Sequence, residues 1–496
     1  MLYFRPSGIL IAVVMLFLIL SCRKEDEIDT SPSLTLSFST DTVMFDTVFT
    51  TIGSTTRILK VYNDHSNKVN ISSIALAGNE GSPYRMNVDG QPVTRITGVE
   101  IDGGDSLFIF VRVTVDPANQ NSPLIVSDSI IFNTNGNMQD VDLVAWGQDA
   151  YYHIGDQYLE GFRFPYTIIV KENEEITWIN DKPHVIYGYA VVDSTGVLNV
   201  TEGARIHFHK NSGMWIYKGG TINSTGTFDM PVIFQGDRLE ESYDNLPGQW
   251  DRIWINEGGA NYFKNTIIKN SFIGIQAEIL DPQSNQTAHL VLENCEIRNT
   301  TQWGLFTISY QVTAGNTVFA NSGENVVFLS TGGSHDFRHC TFANYWNHSI
   351  RQSPLFVLSN YIVVQDAAGN QITYLGDLVQ AFFGNCIIYG NLDEEFQLAE
   401  DESVEFNFTF DHSLIKTQSE VFSPAFIECI ISEDPLFRDS YDHNFMLDTL
   451  SPAIDRGSMQ VINEAPLDLM YDLGNNPRTN DEGPDLGAYE YRPEIY

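Results

Sequence analysis

The chain has 496 residues, 43% of them hydrophobic, which is enough to bury large cores in about two or three domains. Its 27 Lys and Arg side chains against 64 Asp and Glu give a formal net charge of −37, a field that repels phosphate backbones and argues against nucleic acid as a partner. The same field discourages a bare polyanionic glycan such as pectate or alginate, unless calcium ions bridge the two.

Residues 1–21 read as a signal peptide: Arg5 gives a positive start, Ile9 to Leu20 is an apolar run, and Ser21 and Cys22 close it. The run is shorter than the roughly 20 apolar residues that a stable membrane-spanning helix needs. The Ile19-Leu20-Ser21-Cys22 end resembles the lipobox of bacterial lipoproteins, which implies that Cys22 is acylated and begins the mature chain. Arg23, Lys24, Glu25, Asp26 and Glu27 follow, and a lysine followed by acids resembles the surface-export signal of lipoproteins from the Bacteroidetes group. The resemblance implies a lipid anchor in the cell outer membrane with the chain displayed on the surface, and residues 22–33 are expected to be a polar tether.

From 34 to 150 the pattern is that of strands. Leu34, Leu36 and Phe38 alternate with small polar residues, and Leu107, Ile109, Val111, Val113 and Val115 hold every second position after a Gly103-Gly104-Asp105 turn. No helical period competes, so an antiparallel β-sandwich is expected. Val61, Asn63, the Ile71 to Ile74 strand, the Gly104-Asp105-Ser106 turn and Ala145-Trp146-Gly147 resemble bacterial Ig-like domains related to the Hydin family, which serve as spacers or binding modules.

Residues 151–440 are dominated by an internal repeat: an apolar residue, then Asn or His, a small residue, an apolar residue and a second Asn. Copies stand at Phe263-Asn265-Thr266-Ile268-Asn270, Leu292-Asn294-Cys295-Ile297-Asn299, Ala314-Asn316-Thr317-Phe319-Asn321 and Phe337-His339-Cys340-Phe342-Asn344. Weaker copies follow around Tyr361, Cys386, Ser413 and Cys429, so that one repeat is about 23 residues. A unit of that length cannot bury its own apolar face, and stacking copies with parallel strands about 4.8 Å apart solves the problem. The fold class expected is all-β, with a right-handed parallel β-helix of the pectin-lyase-like kind after the sandwich. Asn270, Asn299, Asn321 and Asn344 should form a ladder at one corner. The four late cysteines, alternating with Thr317, Tyr361 and Ser413, should sit two coils apart as free thiols, too distant for disulfides.

In residues 441–496 and just before them, Asp434-Pro435-Leu436-Phe437, Ser451 to Gly457, Asp472 to Arg478 and Asp485 to Tyr491 resemble the C-terminal region of bacterial β-helix proteins known as a choice-of-anchor domain. This tail is expected to cap the open end of the helix.

One of the two outward columns of the repeat, Ile267, Glu296, Val318, Thr341, Ile362, Ile387, Leu414 and Ile430, is mostly apolar, which calls for a cover, either the sandwich or a long loop between coils. Lys269, Glu296 and Arg298 form the one plausible catalytic cluster on that face or, more simply, a surface ion pair across coils. Trp303 and Trp346, in loops beyond the asparagine corner two coils apart, form a candidate platform for stacking on sugars, or else plug those loops. His207 and His209 lack a third metal ligand and read as surface histidines, and no metal or other cofactor is implied beyond the calcium option. The expected function is a non-catalytic surface module that binds or adheres to a glycan or another envelope partner. The alternative is a polysaccharide lyase or glycoside hydrolase of pectin-lyase-like fold.

Overall fold

The computed structural model describes residues 28–49, 54, 56–115, 124–280, 288–365, 369–421, 424–479 and 482–493. The signal, Cys22 and the basic-acidic run after it lie outside the described residues. The chain divides into two compact units, one up to Asp149 and one from Ala150.

In the first unit two five-stranded sheets share a single core. Period-two alternation builds it: Leu107, Ile109, Val111 and Val113 are buried while Phe108, Phe110 and Arg112 face out. Part of the expected tether is tied down, because Asp29 donates its N–H to Lys68 O at 2.8 Å and Asn135 Nδ2 donates to Asp29 O at 2.8 Å.

The second unit is a parallel β-helix. Its coils contribute strands to three parallel sheets of eleven, nine and ten strands among the described residues. Register is kept from coil to coil, so interior side chains form columns such as Ile206, Phe234, Ile268, Ile297, Phe319, Phe342, Ile388 and Ile415. On the ten-stranded sheet Phe337, Phe383, Phe410 and Phe426 stack face to face with centroids 5.2, 4.6 and 5.3 Å apart. Parallel in-register strands make this stacking unavoidable once one residue type holds one position.

The repeat has a backbone cause. Asn265, Asn294, Asn316, His339, Asn385, His412 and Glu428 all adopt positive φ at the corner entering the eleven-stranded sheet, and Asn270, Asn299 and Asn321 do so where the chain leaves it. Asparagine tolerates this left-handed conformation better than other residues with a Cβ, so it recurs at both bends. The expected ladder is in register: Asn270, Asn299, Asn321 and Asn344 occupy successive coils.

Three expectations need correction. Tyr361–Gln365 is not a coil strand; it pairs antiparallel with Gln371–Leu375 as a hairpin outside the three sheets. The stretch from Cys340 to Cys386 is therefore one coil with insertions, and the two cysteines are neighbours rather than two coils apart. All four late cysteines are nonetheless free. The outward strand face is covered by the C-terminal tail, not by a loop between coils: Phe445 and Ala488 pack on Val318, Ala320 and Ala343, and Leu447, Ala453 and Leu486 pack on Ile387, Leu414 and Ile430. These contacts place the tail along the strand face, where an end cap was expected. Buried polar ties hold it there, with Arg478 Nη2 donating to Asn316 Oδ1 at 2.9 Å and Arg478 Nη1 paired to Glu490 at 2.5 Å.

Candidate functional site

The exit corner of the eleven-stranded sheet is where polar groups converge. Lys269 and Arg298 are partners on adjacent coils. Lys269 Nζ donates to Asp244 Oδ1 at 2.5 Å, Arg298 Nη1 donates to Asn245 Oδ1 at 2.9 Å, and Arg298 Nε lies 3.4 Å from Glu296 Oε2. Lys269, Glu296 and Arg298 are thus brought together, but each is tied to a neighbour or to the long loop that carries Asp244 and Asn245. The bond from Lys269 holds the Asp244 carboxyl below the ordinary carboxylate range.

Next to this group Asn299 and Asn321 of the ladder line a cleft of about 200 Å³ with Asn245, Tyr345, Trp346, His348, Tyr441 and His443. His443 reaches it from the tail. A short 3-10 turn over Ser440–Asp442, capped by the Asp439 side chain, ends with His443 in the left-handed conformation and turns its ring onto the ladder. Asn321 Nδ2 lies 2.8 Å from His443 Nδ1, and Asn299 Nδ2 lies 3.3 Å from Nε2. Tyr345 donates its backbone N–H to Asn321 Oδ1 at 2.9 Å, which turns the Asn321 amide nitrogen toward the imidazole. Nδ1 therefore accepts and the ring proton belongs on Nε2, so the Asn299 amide makes no hydrogen bond to the ring and its Nδ2 donates instead to Asn245 Oδ1 and Asn270 Oδ1, each at 3.4 Å. Burial pulls the His443 pKa down to about 4, so the ring is neutral at pH 7.

Part of the lining is aromatic. Tyr345 and Tyr441 meet edge to face with centroids 5.8 Å apart, and Tyr441 is 66% exposed. Trp346 stands beside His348 at 4.9 Å, but it is buried and its indole N–H donates to Ser349 Oγ at 2.9 Å. Trp303 lies elsewhere: its ring packs on Phe306 at 4.4 Å and Phe328 at 6.2 Å, outward on the nine-stranded sheet. Trp346 lines the cleft, and Trp303 is not among its lining residues.

Sequence reasoning missed His443, Tyr441, Asp244 and Asn245. The signal available for the first two was the Asp439 to Asn444 run of turn formers; nothing local ties Asp244 or Asn245 to a corner on the next two coils. His207, expected on the surface, is buried, with Nδ1 3.1 Å from Gly236 O. Among the described residues no group of three or more His, Cys, Asp or Glu could hold a metal ion, and no helix is long and apolar enough to cross a membrane.

Chemically the cleft offers neutral amides, a neutral imidazole and aromatic rings. Hydrolysis of a glycosidic bond requires a protonated acid beside the leaving oxygen. Here the imidazole is unprotonated at neutral pH and Asp244 is held ionised. Amides and ring faces suit recognition of sugar hydroxyls and C–H surfaces. The volume lies below the roughly 300–1,000 Å³ of sites that enclose a drug-sized ligand, and it suits one unit of a longer molecule.

No protein-family model matches the chain, and no curated protein matches it. Among solved structures, one match is from a study of glycolipid glycan hydrolysis by a family 123 glycoside hydrolase from Clostridium perfringens. It is 9% identical, covers 24% of this chain and 30% of that one, and has a TM-score of 0.17. This chain thus spans less than a third of that structure, and the likeness carries no argument about fold or activity.

Proposed function

We propose that the protein is a surface-displayed, outer-membrane lipoprotein whose β-helix binds a glycan at the Asn299–Asn321 cleft without turning it over. The observation that carries this reading is the Asn321 amide bonded to the neutral His443 ring in a cleft that the exposed Tyr441 ring also lines. The polar groups can exchange hydrogen bonds with hydroxyls and the Tyr441 ring can stack on a sugar face. The lipobox-like end at Cys22 and the Lys24-Glu25-Asp26 run support the anchor and the display, and the Ig-like resemblance of residues 34–150 suits a spacer or second binding module. Replacing Cys22 by Ala should release the protein from the outer membrane fraction, while neutralising Lys24, Glu25 and Asp26 should protect it from protease applied to intact cells.

The binding test is retention of purified protein on a panel of immobilised polysaccharides, with calcium present. Tyr441→Ala and Asn321→Ala should each weaken retention about tenfold, equivalent to about 1.4 kcal/mol. The Lys269, Arg298 and Glu296 group beside the cleft favours one competing reading, a lyase or hydrolase. Release of unsaturated or reducing products that stops in Arg298→Ala would establish it in place of binding.

A further inference from the structure

The two sheets of the first unit differ in the sign of their charge. The strands Ser37–Phe38, Arg57–Tyr62, Tyr84–Val88, Gln91–Val93 and Ser106–Val113 contain no acidic residue but carry Arg57, Lys60, Arg85 and Arg112. The strands of the other sheet carry Glu100, Asp128, Asp140 and Asp142. In a chain of net charge −37, a sheet face without carboxylates is a local reversal.

On that face Arg85 and Arg112 are direct cross-strand partners. Like charges placed opposite one another destabilise an antiparallel pair. Among the described residues neither guanidinium has a carboxylate within ion-pairing distance. Arg85 Nη1 donates to Ser82 O at 2.5 Å and Tyr84 O at 2.7 Å, which fixes the group in place and leaves its other nitrogens free. Beside the pair, Phe110 is 38% exposed and opposes Ile58, and Lys60 stands 4.9 Å above the Phe108 ring. Two grooves flank the arginines. One, of about 500 Å³, runs between them and Phe110, Asn87 and Pro92; the other, of about 650 Å³, runs past Ser82 and Val126. Glu80 on the second wall is engaged by the Thr94 hydroxyl at 2.5 Å.

We infer that this face is a second binding site, for a glycan bearing an isolated carboxylate, seated between Arg85 and Arg112 with a sugar ring against Phe110. Paired guanidiniums match a carboxylate and the exposed ring matches a sugar face. An acidic peptide would add as a strand at the sheet edge, where main-chain bonds are available, whereas these groups stand on the face. A long polyanion is excluded by the rest of the chain. At 0.1 M salt the screening length is about 10 Å, so one carboxylate senses the local arginines while an extended chain runs on over acidic surface.

The test uses the full chain in titration calorimetry at 50 mM salt. The acidic probes are aldotriouronic acid and the hyaluronan disaccharide, and the neutral one is xylotriose. Both acidic probes should bind at least tenfold more tightly than xylotriose, with affinity falling as salt rises to 300 mM. Arg85→Gln/Arg112→Gln should abolish the difference without lowering the melting temperature, and Arg112→Lys should restore part of it. Asn321→Ala, in the cleft of the β-helix, should leave it unchanged, so the two sites succeed or fail separately. The inference is overturned if neither acid outbinds xylotriose, if the double variant binds as well as the parent, or if Asn321→Ala removes the binding. Arginine-dependent binding of poly-glutamate or phosphatidylserine vesicles stronger than that of the uronates would also overturn it, in favour of a peptide or a membrane.

Discussion

Cys386 lies beside Cys340 on the neighbouring coil, although the chain between them is twice the usual repeat. Both belong to an interior column that runs through Cys295, Thr317, Cys340, Cys386, Ser413 and Cys429. Cys340 Sγ lies 3.5 Å from Arg338 O and 3.6 Å from Ala314 O, and Cys386 Sγ lies 3.3 Å from Gly384 O and 3.5 Å from Phe337 O, so each thiol can donate to its own corner or to the preceding coil.

Burial pushes the Cys340 pKa well above its usual value, that of Cys295 to about 12 and that of Cys429 to about 11. Thiolate is the reactive form, so these groups should be inert in the folded protein. A thiol reagent applied at pH 8 should modify Cys429, the half-buried one, slowly and the other three only after unfolding. Fast labelling of Cys340 or Cys386 in the native state would contradict the packing.

Gly323 sits under the Trp346 ring. A Cβ there would run into the Thr301 carbonyl oxygen and lie 3.1 Å from Trp346 Cζ2. Gly323→Ala should cost about 1–3 kcal/mol by overpacking. Trp346→Ala empties a buried site and should cost about 3–5 kcal/mol. Urea denaturation followed by circular dichroism measures both, and a neutral Trp346→Ala would mean that the ring is not packed as described.

Arg351 and Glu395 form a buried ion pair at 2.5 Å with side chains 2% and 0% exposed. Glu395 also accepts the backbone N–H groups of Leu355 and Leu392, so it ties the loop before Phe356–Ser359 in the long coil to the turn after Ile387–Gly390 on the next coil. Arg351→Ala leaves a buried carboxylate without its charge partner and should destabilise the protein by about 3–5 kcal/mol. Adding Glu395→Gln should recover part of that loss. Equal stability of the parent and Arg351→Ala would show the pair to be dispensable.

Acid should loosen the β-helix through its buried histidines. Burial lowers the pKa values of His153, His207, His335 and His443 to about 4, and burial together with the charge of His153 lowers that of His184 to about 3. An unfolded histidine titrates near 6.5, so between pH 6.5 and 4 the unfolded state binds more protons and stability falls as pH falls. Glu490, raised by burial to about 7, works in the opposite sense. The histidines outnumber it, and the melting temperature should drop by on the order of 10 °C from pH 7 to pH 5. A scanning calorimetry series with a flat melting temperature over that interval would refute the balance.

The sequence alone determined the all-β class, the stacked repeat and the asparagine corner. Those features are local: a small inward residue between two left-handed bends recurs wherever a coil turns, so spacing reveals it. It also brought Lys269, Glu296 and Arg298 to one face, because in-register stacking follows from the repeat. Only the tertiary structure decided that Cys340 and Cys386 are neighbours, since the hairpin at Tyr361–Leu375 leaves the coil and breaks any count along the chain. It alone put His443 on the Asn299–Asn321 ladder and Arg478 on Asn316, contacts between residues more than a hundred positions apart. Docking of the tail depends on shape and apolar area along the whole strand face, and no short stretch of sequence encodes either.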